Sequence, residues 1–487
     1  MNLIHSYILM TLDTYLGKKG YTILKSDLLI SQQESIRKML RVRPYVPNSP
    51  VQGEEFEIYR ESSSKLYMPR YFGIEYFGKP KKNKLPICEK INLPFTGDLR
   101  DYQKHIVAEF MKKAPDGGGL LEIPCGRGKT VMALKILSEI GVKTLVIVHK
   151  SFLLNQWVER INEFLPGARV GRIQGQIIDI ENKDIVIGML QSLSMKEYPS
   201  SMFEDFGLTI VDEVHHIAAE VFVRSLFKIV SHHMLGLSAT MQRKDGLTKV
   251  FKMFLGDVVY KESANMEHNV LVKAIEFESN DEEFNTIVYD YRGNPQYSTM
   301  ISKLCSFYDR SNFILKVLKD TFTKNPAQQI IILAHNKNLL TYLYKAIDSD
   351  DYATVGYYVG GMKEAALKES ESKNIIIATY SMASEALDIK SLTTLLMATP
   401  KTDITQSVGR ILRAKHTQPV VIDIIDKHAL FQRQWQKRRT YYHKQKYKIV
   451  KTTNSMYQSG TWEEVEKKKK GKNNGNVSDI SNGTCLI

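Results

Sequence analysis

Apolar residues along the chain gather into short runs of Val, Ile and Leu separated by longer, mixed segments. Ten such runs stand out. They are 119–124, 144–149, 184–190, 208–213 and 234–240 in the first half, then 329–335, 354–359, 374–379, 393–399 and 419–425. None alternates apolar with polar, which suits strands buried on both faces of a parallel sheet. Between the runs the spacing becomes helical. In 131–140, Val131, Leu134, Leu137 and Ile140 share one face, and Gly141 stops that helix. Strand–helix alternation repeated twice predicts two α/β lobes, at 97–258 and 300–430. The stretch 259–299 is more polar, with an acidic run at 281–283, and reads as the interlobe connection.

The flanks do not repeat this pattern. Residues 1–95 are rich in aromatic and basic side chains, and Pro44, Pro47 and Pro50 break any long element, so a small β-rich accessory domain is expected there. After the last run, 431–463 reads as a basic helical extension. At about 100° per residue, Phe431, Trp435 and Tyr442 fall on one side and Arg433, Lys437, Lys444 and Lys448 nearly opposite. Residues 464–487 are too polar to order themselves and read as a disordered tail.

Composition permits a large packed core, with 43% hydrophobic and 25% charged residues among 487. Global disorder is excluded. The net charge of +14 is uneven, because residues 427–487 hold 14 basic and 4 acidic side chains. Such asymmetry favours a polyanionic partner, nucleic acid before an acidic membrane, although a charge run kept for solubility is the plainer alternative. Cys88, Cys125, Cys305 and Cys485 lie far apart without a C-x-x-C pair, which argues against a disulfide framework and against a zinc or iron–sulfur site. The N-terminus lacks a basic n-region with a small-residue cleavage site, and no run approaches 18 apolar residues. A soluble, intracellular protein without membrane contact is expected.

Chemistry concentrates at the ends of the apolar runs. In IPCGRGKT, 123–130, Gly126, Arg127 and Gly128 form a loop that opens a helix. The glycines let backbone N–H groups converge on a phosphate at the helix N-terminus. Lys129 offers a charge for the β/γ-phosphates and Thr130 a hydroxyl for Mg²⁺. Ile123 stands where a strict phosphate loop has its first glycine. In LTIVDEVHH, 208–216, Asp212 and Glu213 emerge where a buried strand ends, on the edge where such sheets bind ligands. One acid there can hold Mg²⁺ and its neighbour can orient an attacking water.

Together with LSAT (237–240), EALDI (385–389) and QSVGRILR (406–413), these motifs resemble in order and spacing those of superfamily 2 DEAD/DEVH-box helicases. The likeness is strongest to the XPB-like branch, which includes helicases of large DNA viruses, and it spans about 97–430. It implies two tandem RecA-like parallel-sheet lobes with a small N-terminal accessory domain and a basic C-terminal extension, and ATP with Mg²⁺ as cofactors. Catalytic roles would fall to Lys129, Asp212, Glu213, Arg410 and Arg413, the two arginines acting as fingers on the γ-phosphate. Gln103 in LRDYQ would read the adenine edge beside Gly126, Arg127, Gly128, Lys129 and Thr130, with Thr130 and Asp212 on the metal. His215, Ser238, Thr240, Glu385, Asp388 and Gln406 would couple nucleotide state to movement. Lys150, Gly175, Gln191, Gly361 and Thr379 would touch a nucleic-acid backbone. XPB-type enzymes carry Arg-Glu-Asp after the third motif; here the place reads Arg243, Lys244, Asp245, a reversed central charge.

The expected function is therefore an ATP-dependent nucleic-acid helicase or translocase, acting on DNA in transcription or repair, with RNA as the alternative substrate. A non-catalytic nucleic-acid-binding scaffold is the rival of another class. The nucleus or cytoplasm would be its location, or a viral factory or virion if a virus encodes it.

Overall fold

The computed structural model describes residues 12–46, 52–124, 126–199, 201–241, 243, 245–262, 269–385, 387, 389–414 and 416–466. Cys125, Lys244, Asp388 and the tail from 467 lie outside the described residues, as does the side chain of Glu385. The chain divides into two units, 1–264 and 265–487.

The first unit is built on an eight-stranded sheet. Its spatial order is Ile177–Asp179, Val170–Gln174, Ile185–Met189, Thr144–Val148, Leu208–Val211, His233–Ser238, Gly118–Glu122 and Val258–Lys261. All neighbours run parallel except the outermost hairpin of Val170–Gln174 with Ile177–Asp179. Thr144–Val148, Ile185–Met189 and Leu208–Val211 are buried at every residue. That double-sided burial explains their unbroken apolar runs.

Residues before 96 add a five-stranded sheet, ordered Arg60–Glu61, Lys65–Met68, Gly20–Leu24, Thr14–Gly17 and Lys82–Asn83, with helices Ile30–Met39 and Arg70–Phe77. They share a core with the larger sheet's helices. Tyr21, Ile23, Leu66, Met68 and Phe72 belong to one apolar cluster with Phe222, Phe227, Phe251 and Phe254. Tyr71 rests on Gly256, where a Cβ would come within 2.9 Å of its ring. The β-rich segment read as an accessory domain falls in the same compact unit as the lobe it precedes. Aromatic residues that look surplus in sequence are the cement between the two sheets.

The second unit repeats the plan with the order Val355–Tyr358, Ile375–Thr379, Gln329–Ala334, Leu392–Met397, Val420–Asp426, Leu271–Phe277, Lys448–Thr453 and Glu463–Glu464. Only the last pairing is antiparallel. Three of its strands lie outside the predicted runs: Leu271–Phe277, Lys448–Thr453 and the short Glu463–Glu464. Leu271–Phe277 lies inside the stretch read as a connection, and it pairs along its whole length with Val420–Asp426. Its Lys273 and Glu276 interrupt the apolar run, so the pattern of a doubly buried strand is missing. Lys448 belongs to the strand Lys448–Thr453, beside Glu464, and not to the basic face of a helix.

The helix itself spans Ala429–Lys444, with Phe431, Trp435 and Tyr442 buried and Arg433, Lys437 and Lys444 exposed. Arg438 lies on its buried side, only 1% exposed. Its guanidinium donates to Asp423 at 2.8 and 3.0 Å and to the Lys401 carbonyl at 2.9 Å, while the Tyr442 hydroxyl donates to Asp423 at 3.0 Å. Three residues along the same strand, Asp426 takes a second fork from Arg310 at 2.6 and 2.9 Å, both side chains fully buried. Each pair ties a helix to the strand next to Leu271–Phe277. Removing one partner strands a charge in the interior, which typically costs about 3–5 kcal/mol, whereas replacing both partners with apolar groups of similar size costs far less. Arg310→Met is therefore expected to lower the second unit's unfolding free energy by about that amount. The double change Arg310→Met with Asp426→Leu should recover much of the loss in urea titrations, and additive losses would mean the pair is not coupled.

Candidate active site

The parallel register of the first sheet brings three motif-bearing strands together. Ser238 is the partner of Glu122, and Gly236 is the partner of both Leu120 and Val211, so three loops leave the same edge side by side. The first loop ends at helix Lys129–Ile140, and its turn needs glycine. Gly126 and Gly128 have φ of 78° and 79°. A Cβ on Gly128 would also meet Gln103 Nε2 at 2.4 Å.

Gln103 fills a bracing position. Its Nε2 donates to the Arg127 carbonyl at 3.1 Å, and its Oε1 accepts from Arg100 N at 3.0 Å. Tyr102 donates to the same carbonyl at 3.2 Å, and the Arg127 guanidinium lies 3.6 Å from the centre of that tyrosine ring. Arg127 also forks onto Glu262, with Nε 3.0 Å from both carboxylate oxygens. Glu262 is anchored in turn, its N–H donating to the Glu122 carbonyl at 2.9 Å. The loop is thus held from outside by side chains on two other elements. Glu262 has no motif signal in the sequence.

Lys129 Nζ lies 3.0 Å from Glu213 Oε1, with the lysine side chain 9% and the glutamate 20% exposed. Glu213 follows the end of Leu208–Val211 with φ 47° and ψ 49°, a left-handed conformation that costs a non-glycine residue roughly 1–2 kcal/mol. Asp212, before it, is buried and accepts from Trp157 Nε1 and from Glu213 N, each at 2.9 Å. Burial, then the adjacent Glu213 charge, pushes the Asp212 carboxyl up. Burial acts on Glu213 in the same direction, yet Lys129 and His215 together hold its carboxylate below the usual range. A desolvated acid beside a second acid is stabilised by a cation. The Asp212 carboxylate and Thr130 hydroxyl are hard oxygen donors suited to Mg²⁺. The glycine turn at a helix N-terminus suits a phosphate. The residues present therefore fit a magnesium nucleotide.

A polar chain continues from Glu213. His215 Nδ1 lies 3.4 Å from Glu213 Oε2 and 3.0 Å from Ser238 Oγ, and Ser238 Oγ donates to the Thr240 carbonyl at 2.5 Å. Burial lowers the His215 pKa to about 4, so the ring is neutral at pH 7. Arg243 donates to the His215 carbonyl at 2.9 Å and forks onto Asp245, and the Asp245 carbonyl accepts from Tyr45 N at 3.1 Å. The arginine and aspartate flanking the reversed charge therefore support the histidine's backbone.

Along the same edge, Lys150 stands at the N-terminal boundary of helix Ser151–Phe164. Gln191 Nε2 donates to the His149 carbonyl at 2.9 Å, and Gly175 (φ 57°) donates through its N–H to Ser192 Oγ at 2.9 Å. The structure thus gathers Lys150, Gly175 and Gln191 at neighbouring strand ends. In the second unit, Gly361 (φ 91°) follows Val355–Tyr358 and Thr379 ends the adjacent Ile375–Thr379. Gln406 lies in helix Thr405–Gly409. Arg410 is 5% exposed and donates to the Leu387 carbonyl at 2.6 Å, while Arg413 is half-buried. Sequence reasoning missed Trp157 as a partner of Asp212, because a tryptophan in an amphipathic helix reads as core.

Trp157 supplies a test. Trp157→Phe removes one donor from a buried carboxylate, raising the Asp212 pKa further above its unfolded value. A raised carboxyl pKa lowers stability progressively as pH rises through the unfolded and folded values. The stability gap between variant and parent should widen from pH 5 to pH 8 by about 1 kcal/mol or more in urea titrations. A gap of constant size would mean that only packing was lost.

Residues 96–243 match the family model of the type III restriction enzyme, res subunit. A putative ATP-dependent RNA helicase of Acanthamoeba polyphaga mimivirus is 34% identical over 452 residues, 90% of this chain and 86% of the relative. A DNA 3'-5' translocase XPB2 of Sulfurisphaera tokodaii is 35% identical over 172 residues, 34% of this chain and 36% of that protein. Among solved structures, S. cerevisiae Dbp5 bound to RNA and ADP BeF3 superposes with a TM-score of 0.52 at 10% identity, over 74% of this chain and 91% of that one. At that identity the likeness concerns the fold, two tandem RecA-like lobes.

Proposed function

The chain belongs to the superfamily 2 ATP-dependent helicases, and on that premise we propose that it is a nucleic-acid-stimulated ATPase that moves along a single strand, DNA being the substrate. The observation that carries the ATP site is the contact of Lys129 with Glu213 beside buried Asp212. When bound, Mg²⁺ supplies charge neutralisation at the phosphates. Asp212 and Thr130 would hold it. Lys129 leaves Glu213 to meet phosphate, which frees that carboxylate to orient and accept a proton from water. Gly126, Arg127 and Gly128 present backbone N–H groups, and Gln103 keeps their loop in shape while its edge remains the candidate for the adenine. His215, Ser238 and Thr240 transmit the state of Glu213 along their hydrogen bonds, and Glu385, Asp388 and Gln406 are the corresponding coupling residues of the second unit. Arg410 and Arg413 are the candidate arginine fingers, their guanidinium forks being suited to the charge of a transferred phosphoryl group. Lys150, Gly175, Gln191, Gly361 and Thr379 grip the sugar–phosphate backbone without reading bases.

DNA is supported by the match to a DNA translocase. RNA is the second reading, favoured by the RNA helicase name of the mimivirus relative. ATP turnover with single-stranded DNA, duplex DNA and RNA side by side separates them, because only one should stimulate at low concentration. No stimulation by any of the three would leave a binding scaffold.

Lys129→Ala and Glu213→Gln should each lower stimulated turnover by about 10²-fold or more, with Glu213→Gln still binding ATP through the Asp212 site. Arg410→Ala or Arg413→Ala should depress turnover strongly while ATP affinity changes little. Unaltered turnover in the first two variants would show that the site has been misplaced.

A further inference from the structure

The N-terminal sheet has two unlike faces. One carries Tyr21, Ile23, Leu66 and Met68, all buried in the shared core, with Leu16 buried beside them. On the other, the cross-strand row reads Tyr67, Thr22, Tyr15, Lys82, each the registered partner of the next. The two tyrosines flank Thr22 and are only half-buried. Neighbouring strands are about 4.8 Å apart, so rings separated by one strand stand roughly 10 Å apart and each can take its own base.

Lysines surround these rings. Lys84 Nζ lies over the Tyr15 ring, 4.2 Å from its centre, Lys65 Nζ over the same ring at 5.6 Å, and Lys19 Nζ over the Tyr67 ring at 5.0 Å, cation–π contacts that a stacking base would have to share or displace. Among the described residues of this face, the acid Asp13 is already engaged by Lys82 at 2.9 Å. Glu61, on the neighbouring edge strand, is turned to Lys25 and Arg37. The balance around the two rings is therefore positive. Aromatic faces that stack on bases, interleaved with cations that meet phosphates, are the two components of a single-strand platform. Thr22 between the rings is buried, while Tyr15 and Tyr67 keep part of their surface open and Lys19 and Lys84 are exposed.

We propose that this face is a further nucleic-acid-binding surface, taking a single-stranded segment with bases on Tyr15 and Tyr67 and phosphates on Lys19, Lys65 and Lys84. It rests on the reading of the chain as a nucleic-acid-stimulated helicase. It assigns residues before 96 the task of holding a strand outside the ATP-driven core, independently of nucleotide state.

The full chain is to be cross-linked by long-wave ultraviolet light to oligo-dT carrying 4-thiothymidine and, separately, to oligo-U carrying 4-thiouridine, without nucleotide. Adducts are expected on the peptides containing Tyr15 and Tyr67, in whichever arm matches the natural strand. Changing Lys19, Lys65 and Lys84 together to Gln should flatten the slope of log affinity against log salt by about 2, from roughly 0.7 for each lost phosphate contact on a single strand. The same three positions changed to Arg should keep the slope. Tyr15→Leu with Tyr67→Leu should weaken binding by about tenfold or more, and both phenylalanine changes should not. Nucleic-acid-free ATP turnover, which these residues do not touch, reports that each variant is folded. Adducts confined to residues after 96, or an unchanged slope in the folded glutamine variant, would overturn the surface while stimulation of the parent protein upheld the helicase reading. A parent protein that neither binds nor is stimulated by either oligonucleotide would remove both.

Discussion

A parallel strand delivers the loop that follows it only at its carboxyl end, and the first unit depends on that constraint. Gly118–Glu122, His233–Ser238 and Leu208–Val211 lie side by side in register, so loops more than 80 residues apart in sequence leave one edge together. That register sets Lys129 against Glu213. Burial of the three strands on both faces makes the edge rigid, because a slip in register would carry apolar side chains out of contact on both sides.

The edge is also where the protein keeps its costly chemistry. Asp212 is buried next to a second acid, and Glu213 adopts a left-handed backbone that side chains avoid. Both features work against stability, and the surrounding groups offset them: Trp157 and a backbone N–H for Asp212, Lys129 for Glu213. The second unit handles buried charge differently. Asp423 and Asp426 are matched to Arg438 and Arg310 by paired hydrogen bonds, which leaves less for an added cation to relieve. Unlike the Asp212 edge, these pairs read as structural fasteners.

Support around the site comes from residues that carry no motif. Glu262 clamps Arg127, Tyr102 lies under its guanidinium, and Arg243 with Asp245 holds the backbone of His215. The bracing of Gln103 against the Arg127 carbonyl has a similar character. These contacts join the phosphate loop and the Asp-Glu loop to their neighbours, so the two can be held in position before a ligand arrives.

The ten buried strands were legible in the sequence because a strand covered on both faces must be apolar at nearly every position. The helix 129–140 was legible for the matching reason that its spacing is helical and Gly141 ends it. The motif residues could be named because glycine, lysine and paired acids at strand ends have few other uses in combination. Leu271–Phe277 escaped notice because its polar positions break the run, and its membership in the sheet is settled by Val420–Asp426 some 150 residues away. Trp157 and Glu262 were hidden for a similar cause: a hydrogen-bond donor or a carboxylate has no role until a distant partner is placed beside it. The aromatic N-terminal stretch likewise could not reveal which rings enter the core and which face outward, because alternation along a strand gives two faces and only packing against Phe222 and Phe254 selects the buried one. Local spacing determined the elements and their chemistry; long-range pairing alone decided which side chains meet, since contact energy depends on distance in space and not along the chain.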